Sequence, residues 1–229
     1  KWLMLNSPGN PAGALYTKDQ LEGIAEVLRR HPHIWLMTDD IYEHIIFDTA
    51  FYTLPTIAPD LKDRTLIVNG ASKAYAMTGW RLGIGAGPSS LMGGVRKILG
   101  QSTSNPCSIT QYAGIAAFGG EQGFLKEWVA TFHRRRDKVV KAINAIAGLS
   151  CLTPQGAFYV YPSCADLMGK GGITNDVDFA ERLLESEAVA VVPGAAFGLS
   201  PYFRISYATD DATLEEACAR IAQFCEGMT

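Results

Sequence analysis

Apolar positions along this chain recur in two rhythms, and the order of those rhythms predicts its elements. A short apolar run at residues 2–5 is followed by a loop rich in Pro, Gly and Asn over 6–13. Leu21, Ile24, Ala25 and Leu28 then share one face of a helix, with Thr17 and Gln20 spaced as a capping box ahead of them. Residues 34–38 and 65–69 are near-continuous apolar stretches of strand length; the first ends at Asp39 and Asp40, the second just before Lys73. Strands alternating with helices predict an α/β fold, with a mostly parallel sheet covered by helices on both faces. In open sheets of that kind ligands bind beyond the carboxyl ends of the strands, so 6–13, 39–42 and 70–73 are expected on one rim.

The pattern changes from Glu121 onward. A long amphipathic helix over about 124–147 leads to a strand at 157–161, a helix at 176–187, and strands at 189–192 and 202–208. A last helix carries Leu214, Ala217, Cys218, Ile221 and Cys225 on one face, with Thr213 and Glu216 as its expected cap. This predicts a partial large domain over 1–128 followed by a smaller α+β domain over 129–229. No internal repeat or low-complexity tract interrupts the reading.

At 229 residues with 48% hydrophobic content, the chain is long enough to bury a sizeable core. A formal net charge of -3 gives no electrostatic reason to expect nucleic acid or an anionic membrane as a partner. The cations Arg134, Arg135 and Arg136 fall inside a helical pattern and read as a solvated face. The five cysteines are scattered without a CxxC pair, which predicts reduced thiols in a cytoplasmic protein and no zinc site. Four dispersed histidines give no third ligand beside His31 and His33, so no metal is expected. The glycines at 83, 85 and 87 do not follow a dinucleotide spacing, GKGG at 169–172 lacks the Walker pattern, and Ser72 has no nucleophile elbow. No apolar run is long enough to cross a bilayer. The chain opens at Lys1 in mid-strand, without an initiator methionine, and reads as a fragment.

The chemistry centres on Lys73, a lone cation among small and apolar residues in SKAYAMTGWRLG (72–83). An apolar, partly desolvated setting lowers a lysine pKa and frees the amine to attack a carbonyl. Asp39, at the end of a buried strand, needs a cationic partner, and a protonated pyridine nitrogen is one. Asp40 is equally available to cap the following turn, which leaves Asp39 for that role. Tyr42 and Asn10 can hydrogen-bond a phenolate oxygen on such a ring, and Arg81 offers a planar fork suited to a phosphate. Arg204, inside a strand, needs an anion. A carbonyl-binding lysine, an acid facing a ring nitrogen and an arginine for a phosphate together specify pyridoxal 5'-phosphate.

NSPGNPAG (6–13), DDIY (39–42), NGASKAYAMTGWRLG (69–83) and YFRISYAT (202–209) resemble the signature blocks of fold-type I, class I aminotransferases, and most closely those of bacterial aspartate aminotransferases. The resemblance runs in order over essentially the whole chain. It implies that Lys73 binds the cofactor covalently and moves a proton at the substrate, with Asp39 on the pyridinium nitrogen. It implies that Asn10 and Tyr42 contact the ring oxygen, Arg81 and Ser72 the phosphate, and Arg204, with Asn10, the substrate. Transamination between an L-amino acid, aspartate by this likeness, and a 2-oxo acid such as 2-oxoglutarate would be the activity, in a homodimer when the protein is full length.

Two departures from the family pattern stand out. Gly70 occupies a position where many relatives have Ser or Thr on the phosphate, so that contact would be backbone only or supplied by Ser72, and 100–106 lacks the arginine with which one branch grips a distal carboxylate. The family's upstream segment, with a further phosphate loop and a ring-stacking residue, is absent, so the isolated piece is expected to be inactive. A β-eliminating or carbon-sulfur lyase reaction would use the same residues, and an aminotransferase-like sensor domain of a transcription regulator would keep the fold. The latter would require a winged-helix segment upstream of this sequence, and no basic recognition helix appears within it.

Overall fold

The computed structural model describes residues 1–228. The chain divides into two compact units, the first comprising Lys1–Pro8 and Ala14–Val129, the second Gly9–Gly13 and the residues from Ala130 onward.

In the first unit, β1 (Trp2–Asn6), β2 (Trp35–Asp39) and β3 (Thr65–Gly70) run parallel in that order. β4 (Gly83–Ala86) adds antiparallel to β3 and closes the order β1-β2-β3-β4. Between β1 and β2 the chain forms α1 (Lys18–Arg30), whose capping box is complete: Gln20 N–H donates to the Thr17 hydroxyl at 3.2 Å and Thr17 N–H to the Gln20 side chain at 3.0 Å. Leu21, Ala25 and Leu28 of α1 pack with Leu36, Ala58, Leu61 and Leu54, the last from the short α2 (Leu54–Ile57). Each of these leucines, withdrawn from water, contributes about 1.5–3 kcal/mol before the entropy of ordering is counted. Leu3 and Leu5 of β1 join this cluster, whereas the alternate residue Met4 is 68% exposed.

Three elements here are not announced by the hydrophobic pattern. β4 is short and rich in glycine, and all four of its residues are exposed. α3 (Ser89–Gln101) buries no residue, and α4 (Ser108–Gly119) is apolar nearly all round, so neither shows a one-sided stripe. α5 (Gly123–Asn144) follows, ending three residues before the expected limit.

The second unit holds a three-stranded antiparallel sheet in the order β5-β7-β6, from β5 (Tyr159–Val160), β6 (Val192–Pro193) and β7 (Phe203–Ser206). The strand expected at 157–161 is thus cut to two residues, and the one expected at 189–192 is a two-residue strand at 192–193. Ala157 stands at φ 60, outside the extended region, and β6 ends on a proline that cannot donate to the ladder. α6 (Asp176–Glu187) matches the expected limits and is capped by Asn175, which accepts from the Val177 and Asp178 N–H groups. α7 (Asp211–Glu226) starts earlier than its apolar stripe, and its cap is Asp210, not the expected Thr213 and Glu216. Thr213 N–H donates to Asp210 at 2.9 Å, while Glu216 pairs with Arg220 one turn along.

The arginine triplet in α5 also departs from expectation. Arg136 is 4% exposed, because it shares the buried face with Val139, Val140 and Ile143; it donates to the Pro154 carbonyl at 3.1 Å and to Asp137 at 2.9 Å. Arg135 pairs with Asp211 at 2.7 Å, and Arg134 is the one that remains largely solvated. Gly13 fastens the segment Gly9–Gly13 within this unit, its carbonyl accepting from the Gln155 and Gly156 N–H groups. At φ 63, with a Cβ that would lie 2.5 Å from the Gly156 oxygen, position 13 admits only glycine without rearrangement.

Asp40 is the buried acid of the first unit, 5% exposed, with its carboxylate accepting from the Thr53 hydroxyl at 2.8 Å and the Thr38 hydroxyl at 3.4 Å. Burial pushes its pKa up from 3.8 to about 6; the two threonines oppose this, and Glu43 and Asp39 add to it. The unfolded chain releases this proton at the lower value, so between about pH 4 and pH 6 the folded state binds more protons and loses stability as pH rises. The loss is on the order of 3 kcal/mol and complete above about pH 6. Asp40→Asn should therefore gain on the parent by about that amount as pH rises from 4 to 7, leaving the contribution of Asp39 in place, and thermal melts across the range check it. Asp210→Ala should cost about 1 kcal/mol in urea unfolding through the lost cap, and Glu216→Ala less than about 0.5 kcal/mol.

Candidate functional site

Parallel pairing sets the carboxyl ends of β1, β2 and β3 side by side. Asn6 is in register with Asp39, and its side-chain amide donates to the Asp39 carbonyl at 2.9 Å. Beyond β2 the chain turns at once: Asp40 N–H donates to the Val68 carbonyl at 2.9 Å and Glu43 N–H to the Asp40 carbonyl at 2.9 Å. This turn carries Asp39 at its start and Tyr42, 3% exposed, inside it.

Asp39 is half-buried, and desolvation raises its pKa above the ordinary carboxylate value. Two effects oppose the rise: a hydrogen bond from Ile41 N–H to the Asp39 carboxylate at 3.3 Å, and the positive charge of Lys73. Asp39 thus does cap the following turn, through a long bond, while Asp40 is committed to the threonines. The expectation that Asp40 would take the capping duty is corrected on this point.

Lys73 lies in the loop after β3, its Nζ 5.9 Å from the centre of the Tyr42 ring. The loop starts at Gly70, where a Cβ would stand 2.8 Å from the Leu82 carbonyl oxygen. Glycine at this position is therefore imposed by the close approach of the chain at Leu82, which accounts locally for the departure noted in the sequence. Ala71 N–H donates to that same carbonyl at 3.2 Å. Ser72 is partly exposed beside Lys73. Arg81 ends a short 3₁₀ turn in the left-handed conformation at φ 55, which costs a non-glycine residue about 1–2 kcal/mol. One of its terminal nitrogens donates to the Thr78 carbonyl at 2.9 Å, and the side chain is exposed.

Asn10 and Arg204 belong to the second unit and are joined there, Arg204 Nη1 donating to Asn10 Oδ1 at 2.8 Å. The Arg204 guanidinium also lies 4.7 Å from the Tyr159 ring centre and 5.3 Å from that of Phe197. Its Nε is buried and finds no hydrogen-bond partner among the described residues. A buried donor of this kind is costly unless an acceptor arrives. The sequence reading missed Tyr159 and Phe197. Phe197 follows one glycine and two alanines in an unremarkable turn, and no spacing rule links it to Arg204. Asp176, 1% exposed, holds that turn by accepting from Ala195 N–H at 2.9 Å and from the Ser200 hydroxyl at 2.8 Å.

The donor set of the first unit, a desolvated carboxylate, a primary amine, a phenol and an exposed guanidinium, suits a ring that is cationic at one point and anionic at another. Among the described residues no cluster of His, Cys, Asp and Glu could hold a metal ion, and no helix is long and apolar enough to cross a membrane.

Comparison with known proteins agrees with this chemistry. The family model described as aminotransferase class I and II matches residues 1–221. The chain is 55% identical to the aspartate/prephenate aminotransferase of Cereibacter sphaeroides, covering all of this chain and 59% of the relative. It is 52% identical to an aspartate aminotransferase of Rhizobium meliloti, covering 57% of it. The crystal structure of the Rhizobium meliloti aspartate aminotransferase superposes with a TM-score of 0.96 over 100% of this chain and 58% of that one. An aromatic aminotransferase from Pyrococcus horikoshii follows at 38% identity with a TM-score of 0.91, covering 99% of this chain and 60% of that one. The chain spans somewhat under three fifths of the length of these curated relatives, and it belongs to the class I and II aminotransferase family.

Proposed function

We propose that the parent protein transfers an amino group between aspartate and a 2-oxo acid with pyridoxal 5'-phosphate as cofactor. The observation that carries the reading is a half-buried Asp39 at the carboxyl edge of the parallel strands, its pKa raised by desolvation and opposed by the positive charge of Lys73. The names of the relatives support aspartate as amino donor, and the Cereibacter sphaeroides protein is named for prephenate as well.

Lys73 would hold the cofactor covalently, Asp39 its ring nitrogen, Tyr42 and Asn10 its ring oxygen, and Arg81 and Ser72 its phosphate. Bound in this way, the cofactor supplies an electron sink for the pair released when the substrate Cα loses a proton. Asp39 keeps its negative charge against a pyridinium because that cation offsets the desolvation that otherwise raises its pKa. Lys73 would be the base that takes the Cα proton and the acid that returns it. Arg204 receives the α-carboxylate: its planar fork is pre-oriented by Asn10 and two aromatic faces, and its Nε lacks an acceptor. Homodimerisation and a cytoplasmic location accompany this reading as expectations from the family likeness.

Incubating the full-length enzyme with aspartate and 2-oxoglutarate should yield glutamate and oxaloacetate. Pyruvate and ammonia formed from an amino acid with a leaving group on Cβ, such as cysteine, with no glutamate formed from aspartate, would instead assign the elimination chemistry. Borohydride reduction followed by peptide mapping should place the cofactor on Lys73, and a label on any other residue refutes the proposal. Lys73→Ala should lower turnover by about 10⁴-fold or more, because covalent and proton-transfer contributions are lost together. Arg204→Leu should cost about 10²-fold in kcat/KM for aspartate, with no rescue by lysine, measured by steady-state kinetics.

A further inference from the structure

We propose that Glu43 is a positioning residue for Lys73: through Asn69 its carboxylate clamps the turn bearing Asp39 and Tyr42 to the loop bearing the amine. The inference rests on the reading of Lys73 given above and adds the device that sets where its nitrogen stands.

Glu43 directly follows Tyr42 in the turn after β2, and Asn69 is the penultimate residue of β3. Asn69 Nδ2 donates to Glu43 Oε1 at 2.6 Å, and Gly70 N–H donates to Asn69 Oδ1 at 2.7 Å. One side-chain amide thus spans from the acid on the first loop to the backbone on which the second loop begins. Bonds to an ionised acceptor are short and about twice as strong as neutral ones. The backbone bonds within the lysine loop are longer: Ala71 N–H to Leu82 O at 3.2 Å, Ala76 N–H to Lys73 O at 3.1 Å, and Met77 N–H to Ala71 O at 3.3 Å.

A histidine lies beside the same acid. His44 Nε2 stands 3.6 Å from Glu43 Oε1, and the His44 ring meets Tyr75 edge-on at 6.1 Å. Tyr75 donates in turn to the Gln122 side chain at 2.9 Å. Glu43 and His44 therefore engage the lysine loop on both sides of Lys73, at Asn69 before it and at Tyr75 after it. Asp39, Tyr42 and Lys73 come from two different strand ends, and their mutual placement depends on what ties those ends together beyond the last ladder bond. Misplacing a reacting group by about 1 Å can cost about 10²-fold in rate, which is the scale at which such a clamp acts.

The test uses the full-length holoenzyme and its apoenzyme. Glu43→Ala and Asn69→Ala should each lower kcat by about 10- to 100-fold while KM for aspartate stays within about twofold, since neither residue touches substrate. The loss in the Glu43→Ala/Asn69→Ala pair should fall well short of the product of the two single losses, because both changes delete the bond between these residues. Glu43→Gln, which keeps an oxygen acceptor for Asn69, should recover to within about threefold of the parent. A readout independent of turnover is the rate at which added pyridoxal 5'-phosphate becomes fixable to Lys73 of the apoenzyme by borohydride. That rate should fall about tenfold in both alanine variants and return in Glu43→Gln.

If both alanine variants keep kcat and trapping rate within about twofold of a parent that does trap on Lys73, the clamp is refuted and the functional reading stands. If the parent itself does not trap on Lys73, the functional reading fails first. Rate losses that follow melting temperature equally in Glu43→Ala, Glu43→Gln and Asn69→Ala would assign the bond to folding alone and overturn the inference.

Discussion

A carboxylate drawn out of water at the end of a strand has to recover its hydration energy from something, and at Asp39 the protein returns little of it. One backbone N–H at 3.3 Å and the charge of Lys73 oppose a desolvation that still dominates. A group left in that state is poised for a cation. Much of the first unit follows from the need to hold it there. Three parallel strands put their carboxyl ends in register, Asp40 is sunk behind the turn on two threonine hydroxyls, and a glycine lets the next loop begin hard against Leu82.

The second unit contains the same situation with the sign reversed. Arg204 is partly buried on a three-stranded sheet, fixed by one amide oxygen and two aromatic faces, with its Nε unsatisfied. Aromatic faces stabilise a guanidinium without consuming its in-plane donors, so they orient the fork and leave it able to bind a planar anion. Asp176 secures the turn that supplies one of those faces. Each unit thus keeps an incompletely compensated charge, and each uses neutral or remote groups to hold it in place.

The elements that could be read from sequence are those whose signal is local. The capping box of α1 needs only two residues three apart, and both of its bonds are formed. The stripe of α6 and the apolar runs of β1, β2 and β3 were equally plain. β4, α3 and α4 were not legible, because two of them bury nothing and the third has no polar face to contrast with its apolar one. Arg136 was read as solvated because charge outweighs position in a composition argument, although its helical phase with Val139, Val140 and Ile143 already placed it inside. The motif residues of the site were readable as residue types, but their supports were not. Asn10 meets Arg204 across 194 positions, and Glu43 meets Asn69 across 26, separations for which no periodicity exists.

The neighbouring acids Asp39 and Asp40 show how structure separates what sequence treats as equal. Strand periodicity assigns them opposite faces: Leu36, Thr38 and Asp40 point into the buried side, where the Thr38 hydroxyl reaches the Asp40 carboxylate. Asp39 alternates to the other face with Trp35 and Met37, which are only half-buried. The inward acid can be satisfied only by side chains the fold already contains, so it becomes a fixed part of the turn. The outward acid remains half-buried with weak protein compensation, and is the one able to meet a cation from outside. Parity carried one residue past a five-residue strand, and not the chemistry of either carboxyl group, decides which of the two is left half-buried.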